Sequence, residues 1–399
     1  MMKKLFIITL ASLLVISCNS GNTKKGNDNN SNNDDRAVGE QVNISDDEYF
    51  LLIGTYTAEN ESEGIYVHKF DTGSGKHDSI SMAKISNPSY LTISPDENYV
   101  YAVEEGGDNS SSASAFKFDK STGTLSFINN QPTMSSGPCY ITIDSKGKNV
   151  HTANYGGGTI SSFQTNSNGS LNASNSLIVF EGSGPIADRQ EAPHLHCVDY
   201  SFDGKYIFAS DLGTDKIYRF DAVNSPFDGQ PAFQRSSLKE FAMPEGTGPR
   251  HFAFHPNGGR YMYVLGELSG QVIVFDYNYG DIVQKQVIAS DTTGAQGSAD
   301  IHISPDGRFL YSSNRLQNDG IAIFSINEED GTLTKVGYQL TAKHPRNFVI
   351  TPNGKFILVA GRDDNKVQVF SRDADTGLLT DTNNDIMVYK PTCLKFVSM

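Results

Sequence analysis

Arg250 and Glu267 stand 17 residues apart, one on each side of a Pro-Asn-Gly-Gly turn in the stretch "GPRHFAFHPNGGRYMYVLGELSG". A guanidinium beside a carboxylate can hold an oxyanion bidentately, orient water, or lock an ion pair. The layout recurs in neighbouring stretches, which place His196 with Asp211, Asp300 with Arg315, and Arg346 at equivalent positions, with His194 two residues ahead of His196. Charges that converge on a concave, partly desolvated mouth are what a small anionic ligand needs.

Whether they converge depends on the elements that carry them. Six segments share the pattern: "LTISPDENYVYAVEEG", "ITIDSKGKNVHTANYG", "VDYSFDGKYIFASDLG", "FAFHPNGGRYMYVLGELSG", "IHISPDGRFLYSSNRL" and "FVITPNGKFILVAGRD". The residue at the proline position falls at 95, 145, 202, 256, 305 and 352, at intervals of 50, 57, 54, 49 and 47. Pro pre-sets φ and Gly accepts positive φ, so each segment is a strand, a tight turn and a returning strand. A third strand with period-2 alternation follows, as in "GQVIVFDY" and "KVQVFSR". Weaker fourth strands are expected at "GTLSFIN", "GSLNASN", "GTLTKVGY" and "GLLTDTN". Repeated sets of four antiparallel strands make a β-propeller.

Fragments at the two ends supply one more blade. "EYFLLIGTYT" and "GIYVHKF" read as second and third strands, and "PTCLKFVSM" as the first strand that completes them. Such closure removes two sheet edges. The expected fold is all-β, a seven-bladed β-propeller spanning residues 45–399, with the ring closed by the C-terminal strand in the N-terminal blade.

A hairpin brings the start of its first strand beside the end of its second. Ser89, Cys139, His196, Arg250, Ala299, Arg346 and Thr392 therefore ring one mouth of the channel with Glu105, Tyr155, Leu212, Glu267, Arg315 and Arg362. The opposite mouth is made of turns. The same residues also have structural readings: an Arg250–Glu267 pair that locks one blade, hydrogen-bonded strand residues at His194 and His196, and a loop cap at Arg315. His251 and His302 alternate with core positions and read as core.

The net charge of −14 opposes nucleic acid and anionic membrane surfaces as partners. "MMKK", then the apolar run "LFIITLASLLVI" ending in "VISC", matches a secretory signal with a bacterial lipobox. Residues 1–17 are expected as a lipoprotein signal peptide, Cys18 as the lipidated residue, and 18–44 as a disordered tether, since that stretch is almost devoid of large apolar residues. The protein would then be an exported lipoprotein, facing the periplasm or the cell surface, touching the membrane only through its anchor. Cys139, Cys197 and Cys393 are an odd set in strand-like runs and read as free core thiols. Glu105, Asn154 and Asp211 offer oxygen ligands of the kind Ca²⁺ takes, but the nearby arginines oppose a cation. No cofactor or metal is expected, and the molecule is expected to be a monomer.

"PHLHCVDYSFDGKYIFASDLGTDKIYRF", "GPRHFAFHPNGGRYMYVLGELSG", "ADIHISPDGRFLYSSNR" and "HPRNFVITPNGKFILVAG" resemble the seven-bladed propeller lactonases, the family of propeller-type 6-phosphogluconolactonases and carboxymuconate cyclases. The resemblance spans the chain beyond the tether. It implies metal-independent hydrolysis of a sugar lactone, with 6-phosphogluconolactone as type substrate. The implied catalytic residues are Glu267, Arg250 and His196, and the substrate-binding residues His194, Asp211, Asp300, Arg315 and Arg346. Glu267 would act as base or orient water, Arg250 and Arg315 would hold the oxyanion, Arg346 a phosphate, and His196 would protonate the leaving alkoxide. Export departs from the family's cytoplasmic sugar-phosphate role. The alternative is a non-catalytic exported propeller that binds a sugar acid or a protein partner.

Overall fold

The computed structural model of the protein describes residues 47–107, 110–223, 230 and 232–399. The expected signal peptide, Cys18 and the whole of the expected tether lie outside the described residues.

Seven antiparallel sheets make seven blades, numbered here in chain order. The innermost strands are Pro391–Ser398 in blade 1, Leu91–Ile93 in blade 2, Pro138–Ile143 in blade 3, Leu195–Tyr200 in blade 4, Pro249–Phe254 in blade 5, Ser298–Ile303 in blade 6 and Pro345–Ile350 in blade 7. Each packs beside its two neighbours, so the seven surround one axis. Blade 1 is built as the sequence pattern requires. Pro391–Ser398 pairs antiparallel with Glu48–Thr55, placing Lys395 opposite Leu52 and Leu394 opposite Ile53.

The turn motif has a side-chain explanation. In blade 6 the Ser304 hydroxyl donates to Asp306 Oδ1 and accepts the Phe309 N–H at 3.0 Å, while Gly307 sits at φ 74°. Ser94 with Asp96, Ser201 with Asp203, and Thr351 with Asn353 repeat the arrangement in blades 2, 4 and 7. The hydroxyl thus closes the turn and docks the returning strand, which is why Ser or Thr precedes the Pro-Asp-Gly set.

Neighbouring blades are latched by tyrosines on their second strands. Tyr101, Tyr263 and Tyr311 donate to the carbonyls of Gly169, Gly331 and Gly377 in the next blade, at 3.1, 2.9 and 2.8 Å. One strand expectation fails. In blade 3 the outer strand is Ser176–Val179, whereas "GSLNASN" forms a turn with a single bridge, Thr165 to Leu171. Asn side chains favour turns over pleated pairing, and the apolar "SLIV" takes the edge. The outer edge of blade 7 is also split, with Leu379–Asp381 and Ile386–Met387 both pairing with Lys366–Arg372.

Candidate active site

The inner strands share an irregularity that sets the site. In six blades the pairing with the second strand skips the residue just inside the mouth: Cys139, His196, Arg250, Arg346 and Thr392 singly, and Ala299 with Asp300 together. A bulge leaves its extra residue unpaired and re-aims the side chain. These are the positions that the repeat alignment brought to the mouth. Because a bulge also shifts the alternation by one, the next residue can face the axis as well. His251 does so. Its ring lies 5.9 and 5.2 Å from Tyr90 and Tyr140 of blades 2 and 3 and 5.3 Å from His196 of blade 4. His251 is therefore a channel residue, which corrects its reading as blade core.

Glu267, at the end of the second strand of blade 5, is the centre of the cluster. Arg189 Nη2 donates to its Oε1 at 2.6 Å, while Arg250 Nε and Arg315 Nη2 lie 2.8 and 3.2 Å from its Oε2. Burial alone would raise the carboxyl, but Arg315, Arg250 and Arg189 outweigh it and hold Glu267 at about 2. Glu267 is an ion at neutral pH and a weak proton acceptor. Arg250 and Arg315 are themselves buried, which lowers both from the usual guanidinium range, while Arg189 is partly exposed. Arg315 is also fixed by the Gly297 carbonyl at 2.8 Å and by His344 Nε2 at 3.2 Å.

Arg346 is held differently. Its guanidinium lies over the Tyr56 ring at 5.5 Å, and Nη2 stands 3.9 Å from Glu105 Oε2, with no hydrogen bond to any described residue. Glu105 is occupied by the hydroxyls of Tyr56, at 3.0 Å to each oxygen, and of Ser89. His196 is buried with Nδ1 3.7 Å from the Cys139 thiol, and its Nε2 has no hydrogen-bond partner among the described residues. Burial first, then Arg250, His251 and Arg346, hold this imidazole well below its ordinary range, so it is neutral at neutral pH.

Three expected ligand-binding residues are committed elsewhere. Asp211 Oδ1 accepts the N–H groups of His194 and Gly213 at 2.7 and 3.0 Å, and Oδ2 accepts the Thr214 hydroxyl at 2.7 Å. It fastens a turn instead of meeting a ligand. Asp300 is filled by four donors: His251 Nδ1, His302 Nε2, Asn347 Nδ2 and the Phe348 N–H. His251 takes Oδ1 and the other three crowd Oδ2, so the buried carboxylate is committed to the fold. His194 has Nδ1 3.0 Å from the Tyr155 carbonyl oxygen and Nε2 3.2 Å from Glu191, and its ring stacks on Tyr155 at 4.3 Å. The oxygen set imagined for Ca²⁺ does not assemble: Asn154 Oδ1 accepts the Thr152 hydroxyl at 3.0 Å and its Nδ2 donates to Thr159 and Ser161 of its own blade. No group of three or more His, Cys, Asp or Glu among the described residues is arranged to hold a metal. Cys139, Cys197 and Cys393 are free and buried, with Cys139 on the mouth ring.

Arg189 is the functional residue that sequence reasoning missed. It rides on the connection between blades 3 and 4, outside every repeat, and is fixed by its neighbour. Gln190 is fully buried and donates to the Leu212 carbonyl and to Asp215, each at 2.8 Å. The only signal in the sequence is an Arg-Gln pair that starts four residues before the Pro-His-Leu-His motif.

A seven-bladed ring with an arginine-bound carboxylate at one mouth defines a class, and comparison with known proteins assigns the family. The chain belongs to the lactonase family of seven-bladed β-propellers, whose description matches residues 50–396. It is 37% identical over 344 residues to a 6-phosphogluconolactonase of Formosa agariphila, covering 85% of this chain and 96% of that one. A 6-phosphogluconolactonase of Bacillus subtilis is 36% identical, with 88% and 98% covered. Among solved structures, a candidate 6-phosphogluconolactonase of Bacteroides fragilis superimposes with a TM-score of 0.85 at 49% identity, covering 88% of this chain and 99% of that one. A periplasmic gluconolactonase of Pseudomonas aeruginosa gives 0.82 at 33%, with the same two coverages.

Proposed function

We propose that the protein hydrolyses a sugar lactone at this mouth, with 6-phosphoglucono-1,5-lactone as the first substrate to test. The observation that carries the reading is the charge balance of the ring. Four guanidinium groups, Arg189, Arg250, Arg315 and Arg346, face two carboxylates, Glu267 and Glu105, and Arg346 keeps its donors free. An excess of positive charge, buried at Arg250 and Arg315 and partly exposed at Arg189 and Arg346, fits an anionic substrate and an oxyanion intermediate. Water attacks the lactone carbonyl while His196 Nε2 takes its proton. The tetrahedral oxyanion lies against the arginines around Glu267. The ring C–O bond then breaks, the leaving alkoxide recovers the proton from His196, and the new carboxylic acid ionises to solvent. Glu267, with both its oxygens among three arginines, aligns them. A neutral His196 makes imidazole the proton shuttle in both steps, where sequence alone gave it only the acid role.

The test is acid release by the isolated propeller from phosphorylated and unphosphorylated lactones, with an Arg250→Ala/Glu267→Gln double mutant as baseline. Arg250→Ala alone should lower kcat by roughly 10²–10³. The acid limb of kcat/KM should fall below the ordinary imidazole range, because His196 is held there. Rates equal to the double mutant's would reject hydrolysis and leave an anion-binding propeller.

The reading extends to location. Residues 1–17 act as an export signal and Cys18 carries the lipid, supported by the basic start, the apolar run and the "VISC" junction. In cells, Cys18→Ser should move the protein from the membrane to the soluble fraction.

A further inference from the structure

Arg250 is only partly oriented by Glu267. Its Nε lies 2.8 Å from Oε2 but makes no hydrogen bond there. Its firm contacts come from behind. Nη1 donates to the Ala299 carbonyl and lies 3.3 Å from His251 Nε2. Guanidinium only donates, so His251 Nε2 must present its lone pair. The imidazole hydrogen is then on Nδ1, where Asp300 Oδ1 accepts it at 2.7 Å. One tautomer satisfies both contacts, and the carboxylate selects it.

Both restraints on Arg250 originate in one element. The bulge of blade 6 supplies the Ala299 carbonyl directly and the Asp300 carboxylate through His251. Asp300 is itself immobilised across blades, by Asn347 and the Phe348 N–H of blade 7 and by His302 of its own. Ser313 accepts its backbone N–H at 3.0 Å. Neither Asp300 nor His251 needs to touch substrate to do this.

We propose that Asp300 and His251 are positioning residues that hold the Arg250 guanidinium in its working orientation. This rests on the role given to Arg250 above. The experiment is a double-mutant cycle on the folded propeller, comparing wild type, Asp300→Asn, Arg250→Ala and the combined variant. In the wild-type background Asp300→Asn is expected to lower kcat by roughly 10–100-fold, the scale of losing a group that orients a functional side chain, with KM changed less than about twofold. In the Arg250→Ala background the same change should cost less than about threefold, since the group being aimed is gone. A purely structural role gives equal losses in both backgrounds and would overturn the proposal. If Asp300→Asn does not fold, His251→Asn takes its place in the cycle, with the same expectation and the same overturning result. If the wild type opens no lactone, the functional reading is what fails. The cycle is then read from calorimetric affinity for 6-phosphogluconate, where additive losses, or no binding, overturn the positioning role.

Discussion

Glu267 shows how a single residue can be legible in type and not in role. Its place opposite Arg250 follows from the repeat, as do Arg315, Arg346 and His196, because equivalent positions of a propeller share one mouth. Arg189 has no repeat counterpart, yet it supplies the shortest contact to Glu267, 2.6 Å. With three arginines on one carboxylate, the expected base becomes an ion whose proton is lost at about pH 2 instead of its ordinary 4.5. A depressed carboxyl stabilises the fold above its unfolded pKa and loses that contribution as pH falls through its folded one. Wild type should therefore exceed Glu267→Gln in stability by on the order of 3–5 kcal/mol at neutral pH, the cost of breaking a buried pair. The gap should narrow as pH is lowered from about 4.5 toward about 2. Chemical denaturation of both proteins across that range measures it; a gap that stays constant would mean the arginines do not set the Glu267 proton affinity.

Strands and turns were readable wherever local chemistry repeats. The Ser/Thr-Pro-Asp/Asn-Gly set marks the hairpins because hydroxyl, carboxylate and glycine each satisfy a separate requirement of one turn. Ser304 is buried and bonded on both sides, so Ser304→Ala should destabilise by about 0.5–1.5 kcal/mol. Thermal unfolding would detect this, and hydrolysis, performed at the other mouth, should be unchanged. Bulges were not readable. They leave no fixed residue type in sequence, since Cys139, His196, Arg250 and Thr392 occupy the same structural place. His251 was misjudged for this reason: strict alternation would turn it into the blade, and the skipped residue turns it to the axis. "GSLNASN" was misjudged through its flanking pattern, where the β-branched run that follows it was the better strand.

For the whole molecule, blade count and closure followed from unequal ends, a second strand with no first strand before it and a first strand with no partner after it. The described structure pairs the two. A chain stopped after Lys390 would leave Glu48–Thr55 as an open edge and lose Thr392 from the mouth. It should fail to give a cooperative melting transition and should associate on size-exclusion chromatography; a monomer that melts like the intact chain would show the closing strand to be dispensable. The strand that completes the first blade is also the last to be made. At roughly 5–20 residues per second its partner waits on the order of a minute or less for it to emerge. Throughout that interval the ring has a gap, and the chain can still be drawn lengthwise through a narrow pore. Once the gap shuts it cannot. For the export proposed above, this amounts to a built-in delay: the ring's topology postpones the final fold until its closing strand has been delivered.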